Sequence, residues 1–320
     1  MATSAITSSE IKAQARRLGF DAVGIAPAAA HPELTFFREW LKRGYAGDMT
    51  YLNRSARRCA DVRNVMPSAR TVIVTATIYN TDRPYSIECT DPGRAHIARY
   101  AWGDDYHDVI GGRMEQLLAW MKQTSAEPFD ARACVDSGPV QERVYAQHAG
   151  IGWIGKNTCV INPEKGSWIF LAEIICSLDL ECDRPAFDQC GTCTLCIEAC
   201  PTQAIVAPGV LDATRCISYL TIETRREIPE QFREAVGNHV YGCDICQEVC
   251  PWNATPPVSD DPAWQPREAW DGVTVDQLAE RSDEDLRQAM RGSAMQRTDI
   301  AGLRRTLGSA RRQITKSPSQ

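Results

Sequence analysis

The residues best able to do chemistry are the cysteines, and their spacing says what kind. The sequence has 14 cysteines. Six are scattered (Cys59, Cys89, Cys134, Cys159, Cys176 and Cys182), and the other eight fall between Cys190 and Cys250. One run reads Cys190-x2-Cys193-x2-Cys196-x3-Cys200-Pro201, and a second reads Cys243-x2-Cys246-x3-Cys250-Pro251. Thiolates three residues apart on a tight loop grip three corners of one iron–sulfur cubane. The next cysteine points away toward a second cluster, and the proline stops the turn from continuing as helix. The second run is one cysteine short, and Cys216, alone between the runs, completes the set. The spacing predicts Cys190, Cys193, Cys196 and Cys250 on one [4Fe–4S] cluster, with Cys200, Cys216, Cys243 and Cys246 on the other. Zinc also uses paired C-x2-C, but two zinc sites leave the three cysteines in a row and both Cys-Pro endings without a reason. Adjacent cubanes relay single electrons and transform no substrate, so the electrons are used elsewhere in the chain.

The remainder is large enough to use them. At 320 residues the chain suits about two domains of ~150 residues. Its 43% apolar and 24% charged residues are globular composition, and 8% aromatics give no low-complexity signal. A net charge of −6 excludes a globally basic nucleic-acid binder, so any such contact comes from a local patch. No apolar run approaches the ~18 residues of a membrane span. The Ser/Thr-rich start, Met1 to Glu10, lacks the basic and apolar segments of a secretory signal. Many cysteines without an export signal point to the reducing cytoplasm, where clustered thiols bind metal.

The elements that must position this chemistry alternate in type. Ile11, Ala15 and Leu18 lie at helical spacing and stop at Gly19, and Asp21 to Ile25 reads as a short strand. Phe36, Phe37, Trp40 and Leu41 predict an amphipathic helix closed by Gly44. Thr71 to Tyr79 and Trp168 to Cys176 are β-branched and apolar, as buried strands are. Tyr106 to Gln123 predicts a long helix, and Cys134 and Val135 end a short strand. This is an α/β layered domain. A connector near 180–188 divides it from residues with little periodicity that metal ligation would hold together. Short helices follow at Val275–Leu278, Leu286–Met290 and Ile300–Leu307, with a frayed tail from Thr315. The expected organisation is 1–182, 183–258 and 259–320.

Several stretches resemble the epoxyqueuosine reductases: GFDAVGIAP (Gly19–Pro27), ARYAWGDDYH (Ala98–His107), VDSGPVQER (Val135–Arg143), AGIGWIGKNT (Ala149–Thr158), GSWIFLAEI (Gly166–Ile174), CISYLTIE (Cys216–Glu223), YGCDICQEVCPWN (Tyr241–Asn253) and GSAMQR (Gly292–Arg297). With the cysteine runs they cover roughly residues 10–308. The resemblance implies a nitroreductase-like α/β domain that binds cobalamin, a ferredoxin-like domain with two [4Fe–4S] clusters, and a short C-terminal helical segment. It implies a cytoplasmic, monomeric enzyme that reduces the epoxide of epoxyqueuosine at the tRNA wobble position to queuosine. The cobalamin would be re-reduced through the clusters from an unidentified electron donor.

The resemblance also assigns residues. Asp136 would be the proton donor, since an epoxide oxygen leaves poorly unless protonated. It follows the strand ending at Val135, where α/β sheets place their sites, and a carboxylic acid works there if its pKa is raised. The alternative is capping: Pro139 suits a first helical position, and Asp136 or Ser137 would satisfy exposed N–H groups. Matching motifs place Arg99, Tyr100, Asp136, Arg143, Trp153, Lys156, Asn157, Ser167 and Ser218 around cobalamin. Gly150, Gly152 and Gly155 are read as a close backbone approach to that cofactor, against ordinary turns. Asp105-Tyr106-His107 resembles the start of a histidine-on-cobalt motif, but Ile110 stands where its glycine belongs, so His107 is read as a helix-start or cavity residue. Two departures stand out: Cys59 occupies the place of a family arginine, and helical-repeat extensions seen in relatives do not follow Leu307.

From Arg287 onward eight basic residues face Asp299 alone, and phosphate contacts need such a patch. Arg297, Arg304 and Arg305 are the expected tRNA contacts, against the alternative of a solvated helix face, and charge reversal at Arg304 and Arg305 is expected to weaken binding. A wobble base must leave its stack to be reduced. Competing readings are a reductive dehalogenase, which also joins cobalamin to two cubanes but typically carries an export signal, and a plain two-cluster electron carrier, which needs no large N-terminal domain.

Overall fold

The structure is a computed structural model that describes residues 6–316. The chain opens with α1 (Ser8–Arg17), started by a Thr7/Glu10 capping box, then β1 (Ala22–Pro27), α2 (Phe36–Lys42) and α3 (Tyr51–Ser55). Next come β2 (Thr71–Ile78), β3 (His96–Ile97), α4 (Tyr106–Thr124), β4 (Ala131–Cys134) and α5 (Glu142–His148). A small hairpin, β5 (Trp153–Ile154) and β6 (Val160–Ile161), leads into β7 (Ile169–Cys176). The main sheet has the order β1-β2-β7-β4. Its inner pair is the two long apolar runs, β2 buried at every position and β7 at all but its first, with Glu173 the one acidic residue in either strand.

All three pairings of this sheet are antiparallel. The reason given above for a site after β4, the carboxyl end of a parallel sheet, therefore does not apply. Alternate residues feed two cores. Ile25, Ile73 and Ile174 meet α1 and α4 on one face, where Ile110, Met114, Leu117 and Met121 recur at helical spacing. Burying such side chains stabilises by about 1.5–3 kcal/mol each. On the other face Val72, Val74 and Ile175 meet Val144, Tyr145 and Ala146 of α5. Gly24 is required there: a Cβ would lie 2.0 Å from the Ala149 carbonyl oxygen.

Beyond β7, residues of the connector carry no regular structure until the cysteine runs. Each run places one helical turn after its first cysteines, α6 (Leu195–Glu198) and, after β8 (Ile205–Ala207), β9 (Val210–Leu211), α7 (Glu230–Val236) and β10 (His239–Tyr241), α8 (Ile245–Glu248). The chain ends its described part with α9 (Val275–Glu280), α10 (Asp283–Met290) and α11 (Ile300–Lys316). Thr315 and Lys316 thus continue α11 where a frayed tail was expected. The rest of that tail, and Met1 to Ala5 of the N-terminal stretch, lie outside the described residues.

The expected segments share their interiors. β3 pairs in parallel with β10, and one core joins Ala95, Ile97 and Ala101 to Val240 and Tyr241 and to Leu278, Leu286, Leu303 and Leu307 of the last three helices. α2 contributes no fully buried residue. Instead Trp40 packs against Ile217 and Tyr219 and donates its indole N–H to the Leu211 carbonyl at 2.6 Å. No helix among the described residues is long and apolar enough to cross a membrane.

Candidate active site and cluster loops

The cysteines gather into two groups. Cys196 lies beside Cys250, Cys190 and Cys193. Cys243 lies beside Cys216, Cys246 beside Cys243 and Cys216, and Cys216 beside Cys200. Burial pushes the Cys243 and Cys246 thiols well above the usual range, so neutral thiols are favoured unless a metal supplies positive charge. Hydrogen-bond donors already point at sulfur: the Ala204 amide donates to Cys200 Sγ at 3.2 Å, and the Trp153 indole N–H to Cys190 Sγ at 3.4 Å. Among the described residues no three histidine, cysteine or acidic side chains close in on a single ion. The donor sets fit ligands at the corners of a larger sulfur-rich group.

The segment before β7 clamps these loops. Lys156 Nζ donates to the carbonyls of Gly191 at 2.7 Å and Cys193 at 2.8 Å, and Asn157 Nδ2 donates to the Cys246 carbonyl at 3.1 Å. Trp153, Lys156 and Asn157 were expected at cobalamin; their polar atoms are instead spent on the cysteine loops. Gly150, Gly152 and Gly155 are corrected likewise. A Cβ at these positions would meet the Arg184 carbonyl, the Ile161 carbonyl or the Ile161 side chain, so the close approach is to the chain itself.

Asp136 stands in the turn after β4 with a φ of 49°, a left-handed conformation that a non-glycine residue adopts at some cost. Its Oδ2 accepts from the Tyr106 hydroxyl at 2.9 Å and lies 3.3 Å from His107 Nε2. His107 Nδ1 lies 2.8 Å from Asp105 Oδ1, and Asp105 also caps α4 by accepting the His107 amide. The hydrogen bonds to Asp105 and then Asp136 raise His107 to about 9, so it is a cation at neutral pH. The bond from His107 in turn holds the Asp136 carboxyl below the usual range. The sequence argument asked for a raised pKa here. The structure does the opposite, and the proton sits on the imidazole. Tyr106 is fixed between Phe170, stacked at 4.5 Å, and His107.

A cavity of about 200 Å³ opens beside this cluster, lined by Tyr79, Tyr100, Arg143, Cys159, Ser167 and Gln247 among others. Burial next to Asp136 raises Glu142, also in its wall, to about 7. A second, wider cleft of about 520 Å³ is lined by Asp48, Tyr51, Glu223, Arg225, Arg226 and Arg297. The Asp136 charge acts on both Tyr51 and Arg297 of this cleft. Arg297 grips Glu223 through Nε and Nη2 at 2.7 and 3.0 Å and lies 5.1 Å over the Tyr51 ring.

Of the residues expected at cobalamin, Tyr100, Asp136, Arg143 and Ser167 line the first cavity. Arg99 does not: it is 2% exposed and donates to the carbonyls of Thr81, Arg83 and Pro84. Ser218 sits against Cys216. The first cavity mixes aromatic rings, a hydroxyl and an amide with the charged groups Asp136, Glu142 and Arg143 in its lining. Neither ring nitrogen of His107 is free to ligate a metal in it. Arg304 and Arg305 are also corrected. Arg304 bonds Asp283 at 2.9 Å and the Ala279 and Arg281 carbonyls, and Arg305 donates to Thr224 and Leu220 carbonyls at 2.8 and 3.1 Å. Arg287 and Arg311 pair with Glu284 and Asp276. The run looked unopposed because its acidic partners lie upstream of it.

Tyr51, Glu142 and Glu223 were not singled out from the sequence, and Asp105 and Tyr106 were considered only as the start of a histidine-on-cobalt motif. Four of them lie inside quoted motifs: DDYH holds Asp105 and Tyr106, VDSGPVQER holds Glu142, and CISYLTIE holds Glu223.

Two family models match the chain: "4Fe-4S double cluster binding domain" over residues 189–253 and "Epoxyqueuosine reductase QueG, DUF1730" over residues 59–137. The epoxyqueuosine reductase of Gloeobacter violaceus is 45% identical over 95% of this chain and 95% of its own length. That of Vibrio cholerae is 38% identical over 94% of this chain and 81% of its own. Among solved structures, an epoxyqueuosine reductase crystallised with an epoxyqueuosine-modified tRNA-Tyr stem loop superposes with a TM-score of 0.88 at 29% identity, covering 97% of this chain and 82% of that one. A Bacillus subtilis epoxyqueuosine reductase, captured with its catalytic aspartate loop swung out of the active site, matches with a TM-score of 0.84 at 28% identity.

Proposed function

The chain belongs to the epoxyqueuosine reductase family, and on that footing we propose that it reduces epoxyqueuosine to queuosine in tRNA, in the cytoplasm, with Asp136 and His107 handling the proton. The observation that carries this reading is the Asp136 carboxylate, bonded by the Tyr106 hydroxyl and His107 Nε2. It stands at a cavity whose far wall, Cys159 and Gln247, abuts the cysteine loops. Electrons and protons would thus meet in one place.

We assign residues 1–182 to substrate chemistry, 183–258 to electron relay and 259–320 to closing the cleft. Cys190, Cys193, Cys196 and Cys250 would hold one cluster, and Cys200, Cys216, Cys243 and Cys246 the other. Cobalamin, held by Tyr100, Arg143 and Ser167, would supply a strongly reducing, nucleophilic metal centre to the epoxide carbon. The His107 proton reaches the departing oxygen through Asp136, whose hydrogen bonds fix its orientation before the substrate arrives. Tyr51 offers a ring on which a splayed base can stack, and Arg297 a planar cation beside it.

The test is anaerobic incubation of the cluster-loaded enzyme with reductant, cobalamin and tRNA from cells lacking the activity, followed by nucleoside mass analysis. Queuosine is expected. With Asp136→Asn, turnover should fall by about 10²–10⁴ with both clusters intact. Near-normal turnover in that variant defeats the assignment, and unchanged epoxyqueuosine with the unsubstituted enzyme defeats the function.

A further inference from the structure

Removing an epoxide oxygen as water breaks both C–O bonds, forms a C=C bond, and consumes two electrons and two protons. The electrons come from an external one-electron reductant through the clusters. The His107–Asp136 pair accounts for one proton and leaves the second without a source.

Behind Asp136 lie two further carboxyl groups that the mechanism above does not use. Glu142 lies in the wall of the same cavity, beside Asp136. Glu173 sits in the middle of β7, opposite Val74 on one side and Cys134 on the other. It is 1% exposed, and its Oε1 has no hydrogen-bond partner. A carboxylate so placed, without a cation, is costly enough that the group stays protonated. The groups facing Glu142 are Asp136, His107, Arg143, Tyr106, Cys134 and Glu173. The carboxylate of Asp136 opposes a second negative charge there, and burial opposes it further. Arg143, which favours ionisation, has a guanidinium nitrogen committed to the Thr158 carbonyl at 3.0 Å.

We propose that Glu142, backed by Glu173, is the second proton store of the reaction and reloads Asp136 after its first proton has gone to the departing oxygen. Glu142 gives up its proton as the oxygen leaves as water and regains one from solvent after product departs. It acts through Asp136 and is a positioning and relay residue. Glu173 keeps it loaded by adding no positive charge from behind. This inference rests on the epoxide-reducing function proposed above.

The test uses the holoenzyme with Glu142→Gln, which keeps the size and one carbonyl oxygen of the side chain but carries no acidic proton. In the unsubstituted enzyme kcat should fall as pH rises through about 7, the value to which Glu142 is raised. The glutamine variant should lose that limb and run on the order of ten-fold slower below it. Added imidazolium should restore rate to the variant and not to the unsubstituted enzyme. Glu142→Asp, still an acid, should retain the limb. Independently of turnover, an infrared band of a protonated carboxyl should disappear between about pH 6 and 8 in the resting enzyme and be missing with glutamine at this position. An unchanged pH profile and unchanged infrared titration in Glu142→Gln overturn the proposal. An unsubstituted enzyme that converts no epoxyqueuosine refutes the function and this inference with it.

Discussion

The charge on His107 can be altered from behind without touching Asp136. Asp105 is the largest cause of its raised pKa and is also the N-cap of α4, accepting the His107 amide at 3.0 Å. Asparagine caps a helix as well as aspartate, so Asp105→Asn removes the negative charge and leaves the helix start in place. A hydrogen bond to a charged group contributes about 1.5–3 kcal/mol, or about one to two pKa units. His107 is 37% exposed and Asp105 21%, so solvent screening leaves the lower figure, about one unit. The sign follows from a raised histidine: the cation is present at low pH and lost as pH rises through about 9. In the variant that loss should begin about one unit earlier, lowering the rate about two-fold near pH 8 and about five-fold near pH 9. The assay is a single-turnover pH profile on epoxyqueuosine-containing RNA, with cluster content checked by iron analysis. A fall near pH 9 that does not move, as distinct from the one Glu142 sets near pH 7, refutes the claim that His107 holds the working proton.

Four other outcomes follow from the geometry. Cys216→Ser should halve the iron of the anaerobically prepared protein, because Cys216 stands beside Cys200, Cys243 and Cys246; full iron content would remove it from the ligand set. Lys156→Met should leave RNA affinity alone but speed loss of the visible cluster absorbance in air several-fold, since Lys156 ties down Gly191 and Cys193. Arg297→Ala should weaken binding of a modified stem loop and flatten its salt dependence, read by salt-dependent titration. Arg305→Ala should instead lower the melting temperature, having freed two carbonyls at ~1–3 kcal/mol each.

What the sequence revealed was what is local. The i, i+3, i+4 recurrence of Ile110, Met114, Leu117 and Met121 marks α4 to within a residue, and the β-branched run marks β2. The close spacing within each cysteine run is local, although each group is completed from a distance: Cys250 joins Cys190, Cys193 and Cys196, and Cys200 and Cys216 join Cys243 and Cys246. Strand direction was not legible, because antiparallel and parallel neighbours share the same apolar pattern and only the connections distinguish them. Nor were the duties of Lys156 and Asn157, whose partners lie 35 to 89 residues away. Charge counting misled for the same reason: Arg304 finds Asp283 and Arg311 finds Asp276 on neighbouring helices. At Asp136 the residue was identified and its protonation state was not. The imidazole that decides it comes from the first turn of another helix, 29 positions earlier.

The ladder between β3 and β10, sealed by α11, also bears on how such a protein is made. Residues near 97 cannot reach their final neighbours until those near 240 and 307 have left the ribosome, and contacts this distant in sequence form late. Meanwhile, both sets of iron-binding thiols would already be in the open. A nascent chain therefore presents Cys190 to Cys250 before α11 closes the core that joins β3 to β10, so cluster loading and the last packing step are separable in time.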